Sequence, residues 1–174
     1  MSSKKNKRIL LIADHASNYI PSSLKNLGLK DNQLNSHIAY DVGVKELCIN
    51  LSNLLNSNYI IGEYSRLIID LNRDISDPTL IPEIVDRKII TKNLSLTNYD
   101  KKKRISEIYN KYHYKIKTAI KQNNIIALIL LMTRFILRED FQDFQLINKI
   151  FIYLNYTYFV TIFFYENIDK ISNF

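Results

Sequence analysis

The apolar run Ile9-Leu10-Leu11-Ile12-Ala13 stops abruptly at Asp14-His15-Ala16-Ser17-Asn18, and no other stretch limits the fold as tightly. Its apolar residues do not alternate with polar ones, so a strand built from them must be covered on both faces. That is the pattern of a parallel or mixed sheet with helices on either side. In open α/β sheets, ligands bind just beyond the carboxyl ends of such strands. Asp14, His15, Ser17 and Asn18 therefore stand where chemistry is usually done. The competing reading is a polar strand end whose imidazole caps a turn.

The rest of the chain supplies partners for that strand. A short helix is expected near Ser22 to Asn26. Val44, Leu47, Cys48, Leu51, Leu54 and Leu55 fall on one helical face,. Tyr59-Ile60-Ile61 reads as a second strand, and Leu67-Ile68-Ile69 as a third apolar patch running directly into Asp70. Asp74 to Thr97, with Pro78 and Pro82, is irregular and long enough to be a functional loop,. Leu96-Thr97-Asn98-Tyr99-Asp100 opens a helix reaching about Asn123, with Ile105, Ile108, Tyr109, Tyr112, Ile116 and Ile120 as its buried stripe,. Ile125 to Leu131 is the next strand. This order predicts an α/β fold: a mixed sheet flanked by helices.

At 174 residues the chain is one domain's worth, long enough to bury a core,. Its net charge of +7 comes from lysines at Lys4 to Arg8, at Lys101 to Arg104, and at Lys111, Lys115, Lys117 and Lys121. The second group reads as the solvated face of a helix, and no nucleic-acid-binding module is legible. Cys48 is alone, which predicts no disulfide and a reducing, cytoplasmic compartment,. Between Leu47 and Ile49 it reads as a buried small residue rather than a nucleophile. Too few apolar residues precede Asp14 for a signal peptide. Ile150 to Tyr165 is sixteen residues without a charge, shorter than a usual membrane span and interrupted by Asn155,. Membrane attachment is the alternative this segment leaves open for a basic chain.

Four polar clusters sit at element ends: Asp14 to Asn18, His37 to Asp41, Tyr64 to Arg66, and Asp70 to Arg73. A hydrolytic metal site draws two or three N/O ligands from separate elements and leaves a position open for water. His15 with Asp41, or with His37, would start one. Arg66 and Arg73 carry planar bidentate donors suited to a substrate carboxylate. They are equally suited to ion pairs with Asp14, Asp41 or Asp70.

Taken together, Asp-His-Ala-Ser-Asn-Tyr-Ile-Pro at 14–21, His-Ile-Ala-Tyr-Asp-Val-Gly at 37–43, Tyr-Ser-Arg-Leu-Ile-Ile-Asp-Leu-Asn-Arg at 64–73 and Ile-Pro-Glu-Ile at 81–84 resemble the N-formylglutamate amidohydrolase family, in family order. Tyr109, Tyr112 and His113 are similar to a later helix of that family. The resemblance covers roughly residues 8–130. It implies a zinc-carboxypeptidase-like (phosphorylase/hydrolase-like) fold and metal-dependent hydrolysis of N-formylglutamate or a related N-acyl amino acid, with zinc as cofactor. It implies His15 as a metal ligand and Asp41 as a second. Asn72 and Arg73 would hold the substrate carboxylate. Arg66 would bind a second carboxylate or polarise the carbonyl. Asp14, Ser17, Asn18, His37 and Asp70 are expected as supporting residues, Glu83 as a loop-orienting one, and His113 as packing.

The family continues after this point with a Ser-Ile-His-Ser-Phe-x-Pro-like block whose imidazole should complete the metal site. Here the chain reads Ile129-Leu-Leu-Met-Thr-Arg-Phe-Ile-Leu137, and no histidine follows His113. Read from the third base of each codon, Ile129 to Leu137 permits Ser-Ile-His-Asp-Ser-Phe-Tyr-Pro, the Asp being forced at the Met132–Thr133 junction. The expectation is a frameshift near Ile129. Residues 1–130 would be the N-terminal part of the family domain, and 131–174 a divergent, out-of-frame tail. Activity would then be impaired, and the alternative to an enzyme is a non-catalytic remnant that binds small carboxylates.

Overall fold

The first strand, β1 (Asn6–Ala13), is central, as its unbroken apolar run demands. The computed structural model describes residues 6–123, 127–132 and 159–164, with side chains described for 8–123. β1 lies between β2 (Ser57–Ile61) and β5 (Ala127–Met132), parallel to both, with Leu10 opposite Asn58 on one side and Leu128 on the other. β6 (Phe159–Phe164) adds antiparallel to β5, from Ala127 opposite Phe164 to Met132 opposite Phe159. The sheet order is β2-β1-β5-β6, a mixed α/β sheet. Of the divergent tail only β6 and the last two residues of β5 are described, so the uncharged segment Ile150 to Tyr165 otherwise lies outside the described residues. Among the described residues, no helix is long and apolar enough to cross a membrane.

Alternation along β1 sorts its side chains into two cores. Leu10 and Ile12 join the larger one, with Leu67, Ile68, Ile69, Tyr112, Ile116 and Ile120. Leu11 and Ala13 join the other, with Ala16, Val44 and Cys48. Each fully buried Leu or Ile contributes roughly 1.5–3 kcal/mol, so both helical layers are held by the same strand. Helix α2 (Val44–Leu54) covers one face and α5 (Asn110–Asn123) the other. Since α2 connects β1 to β2, and α5 leads to β5 on the opposite side, the carboxyl end of β1 is a switch point where a crevice opens.

Local details follow from residue type. Gly43 caps α2 at φ 82°, a conformation that costs glycine no Cβ clash,. Thr97 and Asp100 form a reciprocal capping box at the start of α4 (Asn98–Arg104), the amide of Asp100 donating to Thr97 Oγ1 at 3.1 Å,. Ile105–Tyr109 is π-helical and joins α4 to α5. The 74–97 segment is more ordered than its composition suggests: Ile84–Val85 (β3) and Lys88–Ile89 (β4) form a hairpin, followed by the one-turn helix α3 (Thr91–Leu94). Its two turn residues, Asp86 and Arg87, both have positive φ, as a tight hairpin turn requires,. A 3₁₀ turn (Ser22–Gly28) and a short α1 (Asp31–Leu34) fill the segment before α2. Leu54, assigned to the buried stripe of α2, is 79% exposed. The helix ends there, and Leu55 turns the chain toward β2.

Candidate active site

Three loops meet beyond the end of β1 and are knitted together through their backbones. The amide of Asp41 donates to the His15 carbonyl at 2.9 Å, and that of Ser65 to the Tyr19 carbonyl at 2.9 Å. Both the amide of Arg66 (3.2 Å) and the hydroxyl of Ser65 (2.8 Å) donate to the Ala39 carbonyl. This lattice brings His15, Asp41, Arg66 and Asp70 side by side, although they come from four separate sequence clusters.

At the centre, His15 Nε2 lies 2.6 Å from Asp70 Oδ1 and Nδ1 lies 3.7 Å from Asp41 Oδ1. Burial alone would lower the pKa of His15, but the flanking Asp41 and Asp70 carboxylates outweigh it and push it up to about 9,. The imidazole is thus a cation at neutral pH. Burial works to raise the Asp70 carboxyl, yet His15, Arg66 and the Asn72 amide together hold it down at about 2. Arg66 Nη2 donates to Asp70 Oδ2 at 3.0 Å, and its Nη1 lies 3.6 Å from Asp41 Oδ1. Arg73 Nε lies 3.9 Å from Asp70 Oδ2, and its Nη1 lies 3.6 Å from Asp77. Both arginines therefore make the ion pairs that sequence left as an alternative. Their side chains nonetheless stay 28% and 48% exposed.

Asp14 points to the other side. Its Oδ1 accepts the Tyr112 hydroxyl at 2.6 Å, and burial raises its pKa against the lowering by Tyr112 and His15. The remaining expected residues are placed otherwise. Ser17 Oγ accepts from the Tyr19 amide at 3.0 Å, and Asn18 Nδ2 donates to Asn35 Oδ1 at 2.9 Å and the Leu34 carbonyl at 3.3 Å. His37, 53% exposed, pairs with Asp86 at the hairpin tip at 2.7 Å. Asn72 is exposed, and its amide caps Asp70 Oδ1 at 3.0 Å. Glu83 is exposed, and its carbonyl accepts from Ile90. His113 does more than pack, since its Nε2 donates to the Leu71 carbonyl at 3.1 Å. Sequence reasoning missed Tyr112, Asn93 and Arg104 as site supports. The signal for Tyr112 was its place on the buried stripe and in the family-like helix, whereas Arg104 was hidden in a lysine-rich run.

These residues do not form a complete zinc site. Nε2 of His15 is taken up by Asp70, and Nδ1 lies nearest Asp41. The chain's two other imidazoles are engaged with Asp86 and with the Leu71 carbonyl. Among the described residues, no group of three or more His, Cys, Asp or Glu is arranged to hold a metal ion. What the arrangement can do is present fixed guanidinium donors to an anion.

The profile of the N-formylglutamate amidohydrolase family matches residues 7–132. Among solved structures, the gene product Atu2144 from Agrobacterium tumefaciens is similar, with 28% identity and a TM-score of 0.66 over 69% of this chain. The chain spans about half of that protein, 49% of its length. No curated protein matches.

Proposed function

Because the chain belongs to the N-formylglutamate amidohydrolase family, we propose that its crevice is built to receive N-formylglutamate or a related N-acyl amino acid, with Arg66 and Arg73 reading the substrate's carboxylates. The observation that carries this is the anchoring of both arginines on one buried carboxylate, Asp70, while part of each remains exposed. Anchored forks meet an incoming carboxylate without first losing side-chain freedom, and paired N–H donors match its geometry. Family membership supports a hydrolase lineage, a zinc-carboxypeptidase-like architecture and zinc as the lineage's metal. Among the described residues, His15 and Asp41 are the candidates for that metal, and by themselves they do not make a full set. The chain as it stands is therefore read as binding the acyl amino acid without turning it over.

The frame change belongs to the same proposal. The family match stops at residue 132, close to Ile129, where the expected imidazole-bearing block is lost. The test measures binding of N-formylglutamate by calorimetry and formate release with added zinc. It compares this chain with one whose frame is restored at Ile129. Binding by both and formate release only after restoration is the expected result. Absence of binding in both would overturn the substrate reading, and turnover by the unrestored chain would show that the tail supplies the missing ligand.

A further inference from the structure

Asp70 and its two arginines sit in a segment, 66–73, that has no regular secondary structure, so something else must hold it in place. One helix does so through three side chains. Arg104 Nη1 donates to the Ile68 carbonyl at 2.8 Å, His113 Nε2 to the Leu71 carbonyl at 3.1 Å, and the Tyr109 hydroxyl to the Arg73 carbonyl at 2.7 Å. The three carbonyls bracket Asp70 on both sides. Arg104 is buried. Its second acceptor is Asn93 Oδ1 at 2.9 Å, and Asn93 Nδ2 in turn donates to the Leu67 carbonyl at 2.8 Å. Burying a guanidinium is costly unless its hydrogen bonds are met. Here the bonds it makes run to the site segment and to Asn93, which itself holds that segment.

Helical phase makes the arrangement unexpected. An α-helix advances about 100° per residue, which would set Tyr109 about 140° and His113 about 180° around the axis from Arg104. All three could not then reach one segment. The five π-helical residues between them, Ile105–Tyr109, close each turn one residue later and advance only about 80° each,. The offsets shrink to about 40° for Tyr109 and about 80° for His113. We propose that this π-helical step is a phasing device that makes Arg104, Tyr109 and His113 positioning residues for the Arg66–Asp70–Arg73 carboxylate site. The proposal rests on that reading of the site, but the clamp itself is testable without it.

Inserting one alanine after Ser106, which is exposed, adds about 80–100° of turn and should carry Arg104 off the shared face. Tyr109→Phe removes a single hydroxyl and carries little folding risk. Two readouts are needed: hydrogen exchange at the Asp70 and Asn72 amides, with the Leu11 amide in β1 as internal reference, and affinity for N-formylglutamate. Loss of one such bond is worth about tenfold. The expected result is exchange at Asp70 and Asn72 faster by about that factor, Leu11 unchanged, and affinity weaker by a similar factor. Unchanged exchange in both variants would overturn the clamp. Faster exchange with unchanged affinity would overturn the positioning role, leaving the contacts merely structural. If the parent chain binds no N-formylglutamate, the carboxylate reading and with it the positioning role fall, while exchange still decides the clamp.

Discussion

The buried His15–Asp70 pair makes stability depend on pH in a direction that can be worked out beforehand. His15 titrates near 6.5 when unfolded and at about 9 in the fold, because Asp41 and Asp70 outweigh the effect of burial. A group whose folded pKa is raised stabilises fully below its unfolded value and loses that contribution as pH rises through the folded one. The step should therefore run from about 6.5 to about 9, with a size of roughly 3 kcal/mol. Asp70, held at about 2 against an ordinary 3.8, gives the opposite limb: full stability above 3.8, lost as pH falls through about 2. Both limbs describe largely one ion pair, so they are not added. The assay is urea unfolding from pH 4 to 9.5 at constant ionic strength with a chelator present. A loss of roughly 3 kcal/mol is expected, equivalent to a melting shift of about 6–12 °C. Asp70→Asn should shrink the alkaline step, and His15→Gln should abolish it. A flat profile above pH 6.5 in the parent chain, or an undiminished step in Asp70→Asn, would refute the reasoning.

Gly62→Ala should be among the most damaging small substitutions. An added Cβ would lie 2.0 Å from the Asp14 carbonyl oxygen and 2.9 Å from Leu71 Cδ1, so backbone must move, at about 3 kcal/mol or more. An unchanged melting temperature would contradict the close approach of the β1 and β2 ends. Tyr112→Phe removes the hydroxyl that donates to buried Asp14 and should cost about 1–3 kcal/mol. Urea midpoints at neutral pH check it, and a neutral effect would mean that water replaces the hydroxyl. Cys48 is buried and its thiol is pushed up to about 12 by that burial, so a thiol reagent should label it only after unfolding. Rapid labelling of the native chain would show that α2 does not cover the sheet as described.

Much of the framework was legible because its signals are local. The apolar run of β1, the Tyr59–Ile61 strand, the stripe of the long helix and the Thr97–Asp100 cap each depend on a few neighbouring residues. Leu67, Ile68 and Ile69 were rightly read as buried, yet they form no strand. Their carbonyls and amides go instead to Asn93, Arg104 and Ser65. His37 lay in a cluster that looked like site chemistry, and the fold turns it outward to Asp86. Arg104 stood in the lysine-rich run that looked like a solvated face, and it is buried.

Residue order alone determined the α/β class, the position of the polar clusters at element ends, and the family blocks that carry Asp14, His15, Asp41, Arg66, Asp70 and Arg73. Periodicity and caps are properties of short stretches, so a linear reading reaches them. Tertiary structure decided the pairings: His15 with Asp70 across 55 residues, Asp14 with Tyr112 across 98, and Arg104 with Ile68 across 36. Such contacts depend on where helices cross the sheet and on how a π-helical step sets their phase. Neither is written in any short stretch of the chain.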